Sequence, residues 1–175
     1  MKSLAIRSTT LIVALASVVL GACSDDDNGT TAPPAERFTA TLTGANEVPA
    51  VTTSASGTAT FTAVGDTAIS YSVSVSGLTG MTMGHIHTGA AGVNGGVLVW
   101  LAPPNGSAPA PAAGLQNGVV ASGRFNASWI RGVGGAPPSS RDSLKRLLRS
   151  GNAYVNFHTS TFGGGELRGQ TVRAN

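Results

Sequence analysis

Three stretches of this chain alternate apolar and hydroxyl residues with a period of two, and that pattern commits it to β structure. Arg37 to Thr43 sets Phe38, Ala40 and Leu42 against Thr39, Thr41 and Thr43. Gly57 to Val64 sets Ala59, Phe61 and Ala63 against Thr58, Thr60 and Thr62. Ala68 to Val75 sets Ile69, Tyr71, Val73 and Val75 against Ser70, Ser72 and Ser74. Successive side chains of a strand point to opposite faces, so each run reads as one buried and one wet face. Thr and Ser suit a wet strand face. Gly44-Ala45-Asn46, Gly65-Asp66 and Gly77 read as the punctuation between runs.

Further strands are expected at Gly84 to Thr88, Val97 to Ala102, Val119 to Ala127, Tyr154 to Thr159 and Glu166 to Val172. Short strands with turn signals between them predict an all-β fold, an antiparallel β-sandwich or barrel of Greek-key-like type. The 24 glycines fit a turn-rich β protein. Pro103 to Gly118, rich in Pro, Ala and Gly, reads as a surface loop. Ser139 to Ser150 reads as one short helix, with Ser139 or Ser140 as cap, Asp142 in the first turn and Gly151 as terminator. Leu144, Leu147 and Leu148 form its apolar stripe. Arg141, Lys145, Arg146 and Arg149 form a basic outer face, read as solvated, with contact to anionic lipid or an acidic partner as the alternative.

The front of the chain has a different character. Lys2 and Arg7 precede an apolar run, Leu11 to Leu20, which is too short to cross a ~30 Å hydrocarbon core as a helix. Small residues follow, Gly21 and Ala22, and then Cys23, the one cysteine of the chain. A positive start, a short apolar centre and small residues before a cut describe a secretory signal over 1–22. The Cys after the small pair resembles the lipobox of bacterial lipoproteins, which implies lipidation at Cys23 and anchoring to a bacterial membrane. Residues 23–36 then read as anchor and flexible linker, with Asp25, Asp26 and Asp27 followed by Gly, Thr and Pro. That acidic run resembles sorting signals for outward-bound lipoproteins, which points to the outer membrane or cell surface. Residues 37–175 remain for one domain, enough for one core and not two.

Once Lys2 and Arg7 leave with the signal, nine basic residues face eight acidic ones, a net charge of +1. That balance gives no reason to expect a nucleic-acid partner. The partners expected are the membrane, through the N-terminal lipid, and an extracytoplasmic protein or glycan.

All three histidines lie where they can meet. In Gly84-His85-Ile86-His87-Thr88, the two rings project from one face of a strand and Ile86 from the other. In Tyr154-Val155-Asn156-Phe157-His158, residues 154, 156 and 158 share a face and 155 and 157 the opposite one. If the two strands are neighbours, His85, His87 and His158 converge, and a three-imidazole site suits zinc or copper. The alternative is that the rings hold loops by bonding to backbone carbonyls. Glu166 and Arg168 follow closely and can support the site or pair with each other; Glu47 and Arg168 can pair between early and late strands. Asn46 and Asn94 read as turn chemistry, Tyr71 and Tyr154 as core, and Trp100 and Trp129 as core or binding aromatics. From Arg37 onward the only acids are Glu47, Asp66, Asp142 and Glu166, and there is no Gly-x-Ser-x-Gly elbow or phosphate-cradling loop. No complete catalytic set is present.

The ordered segments Leu42 to Pro49, His85 to Gly95, Tyr154 to Thr159 and Gly165 to Gly169 resemble the CHRD domain, first named in the developmental protein chordin and common in bacterial exported proteins. The likeness runs from about Arg37 to Val172. For bacterial members it implies an extracytoplasmic β domain without an assigned activity. A looser likeness is to copper/zinc superoxide dismutases, in which His85, His87 and His158 would stand where copper ligands do and Arg168 where the anion-guiding Arg does. The chain lacks a fourth His, a zinc set and a disulfide, so that likeness implies a related sandwich and not dismutase activity.

Two readings follow. The first is a non-enzymatic binding or structural module in the cell envelope, with Glu47, Asn156, Glu166 and Arg168 as supporting residues; an adhesin or matrix role is a variant of it. The second is a copper- or zinc-binding, redox-active protein using His85, His87 and His158.

Overall fold

The computed structural model describes residues 35–65, 68–104, 112–132 and 140–174. The expected signal, Cys23 and most of the linker lie outside the described residues. Eight strands form: β1 (Arg37–Thr43), β2 (Ser56–Val64), β3 (Ala68–Thr88), β4 (Val97–Ala102), β5 (Ala112–Phe125), β6 (Ala153–Thr159), β7 (Leu167–Gln170) and β8 (Val172–Ala174). The described residues also form the helix α1 (Arg141–Arg149) and the 3-10 turns Gly44–Asn46 and Ala127–Trp129. The fold is all-β, as the period-two runs require.

The sheet order is β2-β1-β7-β6-β3-β4, with β2 also paired to β3, so five strands close into a small barrel or sandwich. All of these pairings are antiparallel. β5 lies along β3 and β8 along β1. The alternating residues fall on matched rows: Phe38 stands opposite Phe61, and Phe61 opposite Tyr71. All three are buried, as are Leu42, Ile69 and Val73. Tyr71 stacks at a tilt on Phe125, 5.7 Å between ring centres, and its hydroxyl donates to the Leu101 carbonyl at 3.1 Å. The phenol thus buries a large apolar ring and still finds a partner for its one polar atom.

β3 organises the fold. Its first half pairs with β2 and β5, and its second half with β6 and β4. Two expected strands, Ala68 to Val75 and Gly84 to Thr88, are therefore one. Gly77 does not end a strand: Gly77 and Gly80 have φ of +73° and +68°, which lets the chain bend while β5 stays paired across register shifts. One more irregularity, between Met81 and Met83, switches which face the odd-numbered residues occupy: Met81 lies in the apolar core, while Met83 stands opposite His158.

β5 also departs from expectation. Ala112 to Gly118 is strand rather than loop; residues 105–111 lie outside the described residues. Leu115 and Val119 are exposed, so this strand is held by its ladder to β3 and has little burial signal of its own. The last expected strand is two. Thr171, fully buried, breaks it by bonding the Ala153 carbonyl through both its N–H (3.0 Å) and its hydroxyl (2.9 Å). The chain then passes from β6 to β1 as its partner.

α1 follows its sequence signals. The Ser140 hydroxyl accepts from the Ser143 N–H at 3.1 Å, and Gly151 at φ +67° ends the helix. Leu144 and Leu148 are fully buried and Leu147 packs against the core. The basic face is not wholly free: Arg149 holds Glu36 with two hydrogen bonds of 2.6 Å, and Arg146 donates to the Ser143 hydroxyl. No helix among the described residues is long and apolar enough to cross a membrane.

Candidate metal centre

The second half of β3, with β6 and β7, carries two unlike faces. Ile86, Val155, Phe157 and Leu167 are fully buried in the apolar core. On the other face, rows run across the strands: His85 is opposite Asn156, which is opposite Arg168, while His87 is opposite Tyr154, which is opposite Gln170. Trp100 on β4 is opposite His85. That outward face is nonetheless buried, with His85 3% exposed, His87 8%, His158 8%, Asn156 4% and Arg168 1%.

Each of the three histidines offers a ring nitrogen to a common centre, and these three atoms lie within 4.8 Å of one another. Nδ1 of His85 stands 3.2 Å from Nε2 of His158. Two nitrogens bound at 2.0–2.1 Å to one ion in tetrahedral geometry stand about 3.3–3.4 Å apart, so the spacing fits a shared metal. His87 donates Nδ1–H to the Gly95 carbonyl at 3.0 Å, and His158 donates Nδ1–H to the Gly163 carbonyl at 3.0 Å. Those bonds fix the tautomer and turn the Nε2 lone pair of each ring inward, as in metal sites whose ligands are oriented from behind. Nε2 of His85 and Nε2 of His87 are buried with no hydrogen-bond partner among the described residues. Each such orphan costs about 1–3 kcal/mol. An ion at the shared centre would take up Nε2 of His87, whereas His85 meets that centre through Nδ1 and its Nε2 lies on the other side of the ring.

Electrostatics keeps the rings in ligand form. Burial pushes the His85 imidazole down to about 3, and the neighbouring charges of His158, His87 and Arg131 push the same way. Burial also lowers His87, against its bond to Gly95, with His158 and Arg168 adding to the fall. His158 is lowered by burial, against its bond to Gly163. The neutral imidazole that binds metal is therefore the resident form at neutral pH.

Stacked rings and a buried cation brace the cluster. His87 lies on Tyr154, 5.0 Å between centres and 11° between planes. The Arg168 guanidinium lies over Tyr154 at 3.6 Å. Arg168 also donates to Asn94 Oδ1 and to the Val93 carbonyl, both at 2.7 Å, and Asn94 donates to the Val48 carbonyl at 2.8 Å. The Gly95 N–H donates to the Tyr154 hydroxyl at 3.1 Å. This web fixes the 90–95 turn whose last carbonyl orients His87. Any side chain at Gly95 would meet the Thr88 carbonyl, so that close approach needs glycine. Trp100 closes the side of His85, edge to face at 4.2 Å, with Arg131 over its ring at 6.0 Å.

The residues expected to support the site take distinct places. Glu166 neither pairs with Arg168 nor approaches as a ligand; it accepts from the Thr53 and Thr159 hydroxyls, both at 2.7 Å. Glu47 and Arg168 make no ion pair, because the guanidinium is spent on Asn94, Val93 and Ala90. Arg168 is thus a strut, not a free anion guide. Burial raises Glu47 to about 7, against the charge of Arg168 and the Val48 N–H. Glu47 Oε1 and Asn156 Oδ1 are buried without partners among the described residues. They flank Gly165, where a Cβ would stand 2.6 Å from Glu47 Oε1. Beside the site, Asn46, Glu47, Gly92, Arg168 and Gln170 help line a surface cleft of about 290 Å³ that includes no histidine.

The structure also reveals positions that the pattern of residues did not single out. These are the Gly95 and Gly163 carbonyls, which orient two rings; Tyr154, buried as expected, braces His87 as well, and Trp100 covers His85. Only the Asn94-Gly95 pair carried a readable signal, as a turn.

Fold and site together define an antiparallel β domain with a buried, pre-oriented cluster of three neutral imidazoles. The family model for the CHRD domain matches residues 38–171, and the chain belongs to the CHRD family. No curated protein matches the chain.

Proposed function

We propose that this protein is an exported, lipid-anchored CHRD-domain protein whose non-enzymatic role is to bind one transition-metal ion, copper or zinc, in the cell envelope. The observation that carries the reading is the convergence of His85, His87 and His158, with their ring nitrogens within 4.8 Å. The orphaned Nε2 of His87 and two carbonyl-fixed tautomers support it. The leader, Cys23 and the acidic linker support the location. When bound, the ion supplies a positive centre for an anionic or electron-rich partner. The protein's own residues hold it, keep their nitrogens unprotonated and exclude water.

The test is metal content of the protein purified without an affinity histidine tag and loaded with copper or zinc. The expected result is one equivalent retained, lost on His87→Ala or His158→Ala. A protein that retains none, while the same substitutions lower its stability, would make the histidines loop anchors and sink the metal reading. Labelled fatty acid incorporated by the wild type and not by Cys23→Ala tests the anchor separately.

A further inference from the structure

The choice between copper and zinc rests on what else faces the three rings. Met83 precedes His85 and His87 on β3 at the same period of two, and the irregularity between Met81 and Met83 is what brings it to that face. There it stands directly opposite His158 on β6, whereas Met81 is left in the core. Directly opposed residues of an antiparallel pair have Cβ atoms about 4.5–5.5 Å apart, within reach of a long, flexible thioether. Met83 is only partly buried, although its neighbours Gly84, His85, Ile86 and His87 are buried. Met83 is thus a partly buried apolar residue outside the core cluster, on the strand face that carries His85 and His87 and in register with His158.

The charge around the cluster points the same way. The group of converging donors contains no carboxylate or thiolate. The ionised groups that its rings and their stacked neighbours meet are guanidiniums: Arg168 over Tyr154 and Arg131 over Trp100. Desolvation cost scales with the square of the charge, so a divalent ion in this neutral-ligand, water-poor setting costs about four times what a monovalent ion costs. The two guanidiniums penalise the higher charge further. Soft thioether and imidazole donors, few in number and without anions, match copper(I).

We propose that the three-imidazole site is a copper(I) site and that the Met83 thioether is its fourth ligand, with Trp100 as the cover that keeps the ion dry. This rests on the metal-binding reading above and sharpens it. A comparison of copper(II) with zinc is no guide, because copper(II) outcompetes zinc at almost any nitrogen site. The informative measurement is anaerobic titration of the full chain with copper(I) against a chromogenic copper(I) chelator, beside titration with zinc(II), for wild type and Met83→Leu. The expected result is one equivalent of copper(I), bound at least 100-fold more tightly than zinc(II). Met83→Leu should lose tenfold or more in copper(I) affinity and keep its zinc(II) affinity. X-ray absorption of the copper(I)-loaded wild type should show one sulfur scatterer bound to the metal, a readout that does not depend on the variant folding. Zinc(II) bound as tightly as copper(I), or copper with nitrogen ligands only, overturns the copper(I) assignment and leaves the three-His site intact. No binding of either ion overturns the site and this assignment with it.

Discussion

The two halves of β3 share one strand and differ in what covers them. From Ala68 to Ser76, Ile69, Tyr71, Val73 and Val75 enter the core, and Ser70, Ser72 and Ser74 stand half-exposed on the outer face. From Gly84 to His87 both faces are buried, and the outer one carries histidine where the first half carries serine. A hydroxyl at a wet face is satisfied by water. An imidazole under a cover of turns is not, and one nitrogen each of His85 and His87 remains without a partner among the described residues. Polar residues on one half therefore solvate the sheet, and on the other half they store unmet hydrogen-bonding capacity. That unmet capacity is what the proposed metal ion would take up.

The covers depend on Arg168, so its loss should produce the largest effect. Arg168→Leu removes the donors to Asn94, Val93 and Ala90 and the cation over Tyr154. Three part-buried acceptors on exposed residues lose a charged donor at once, and a hydrogen bond to a charged group contributes about 1.5–3 kcal/mol. The expected loss is about 3 kcal/mol or more in urea unfolding, and the 90–95 turn should lose hydrogen-exchange protection. Metal affinity should fall with it, because Gly95 no longer fixes His87. A variant as stable as wild type, binding metal normally, would show that the covered half needs no strut.

The difference between the halves was only partly legible in the sequence. β1 and β4 have the bounds expected from their own residues, and α1 has the cap, stripe and terminator read from Ser140, Leu144, Leu148 and Gly151. The histidine face was also legible, since the spacing of His85 and His87 is itself a statement about strand faces. The continuity of β3 was not, because glycine at positive φ reads locally as an end and only the unbroken ladder to β5 shows otherwise. The first part of β5 was hidden for a related reason: its residues are mostly exposed and carry no pattern. Glu47 and Arg168 looked like a pair by charge, yet hydrogen-bond geometry gave the guanidinium to a turn instead. The roles of Tyr154 and Trp100 depend on which rings they meet, information that exists only between strands.

Acid should act on the two halves differently, with a smaller effect per pH unit. In the metal-free protein the three imidazoles are lowered from their ordinary 6.5, His85 to about 3. Below 6.5 the unfolded chain takes up protons that the folded one refuses. Stability is then fully present above about 6.5 and is lost as pH falls toward 3. The loss is up to about 1.4 kcal/mol per pH unit for each ring. Glu47 runs the other way. Its carboxyl is raised from 4.5 to about 7, so it favours the folded state below 4.5 and ceases to as pH rises through 7. Three rings outweigh one carboxyl below 6.5. Hydrogen exchange between pH 7 and 4 should therefore show protection failing at His85 to Thr88 before it fails at Ser72 to Val75. Equal loss in both halves would mean that the histidines do not set the acid limit.

The smallest effect is expected where the outer face is wet. Ser74 lies between Thr58 on β2 and Val119 on β5, half-exposed, and its hydroxyl makes no hydrogen bond to a described residue. Ser74→Val keeps the strand, adds β-branched surface and leaves no buried group without a partner. Its stability should stay within about 0.5 kcal/mol of wild type, the usual range for surface positions, and metal binding should not change. Measuring both quantities on one sample separates two causes that stability alone confounds. A shift above about 2 kcal/mol would mean that the first half is covered after all, by a partner or by residues outside those described. A change in metal affinity with unchanged stability would mean that the halves are coupled through the bend at Gly77 and Gly80. If neither occurs, the serines and the histidines lie on one strand and meet different surroundings, water for the first and a cover of turns and rings for the second.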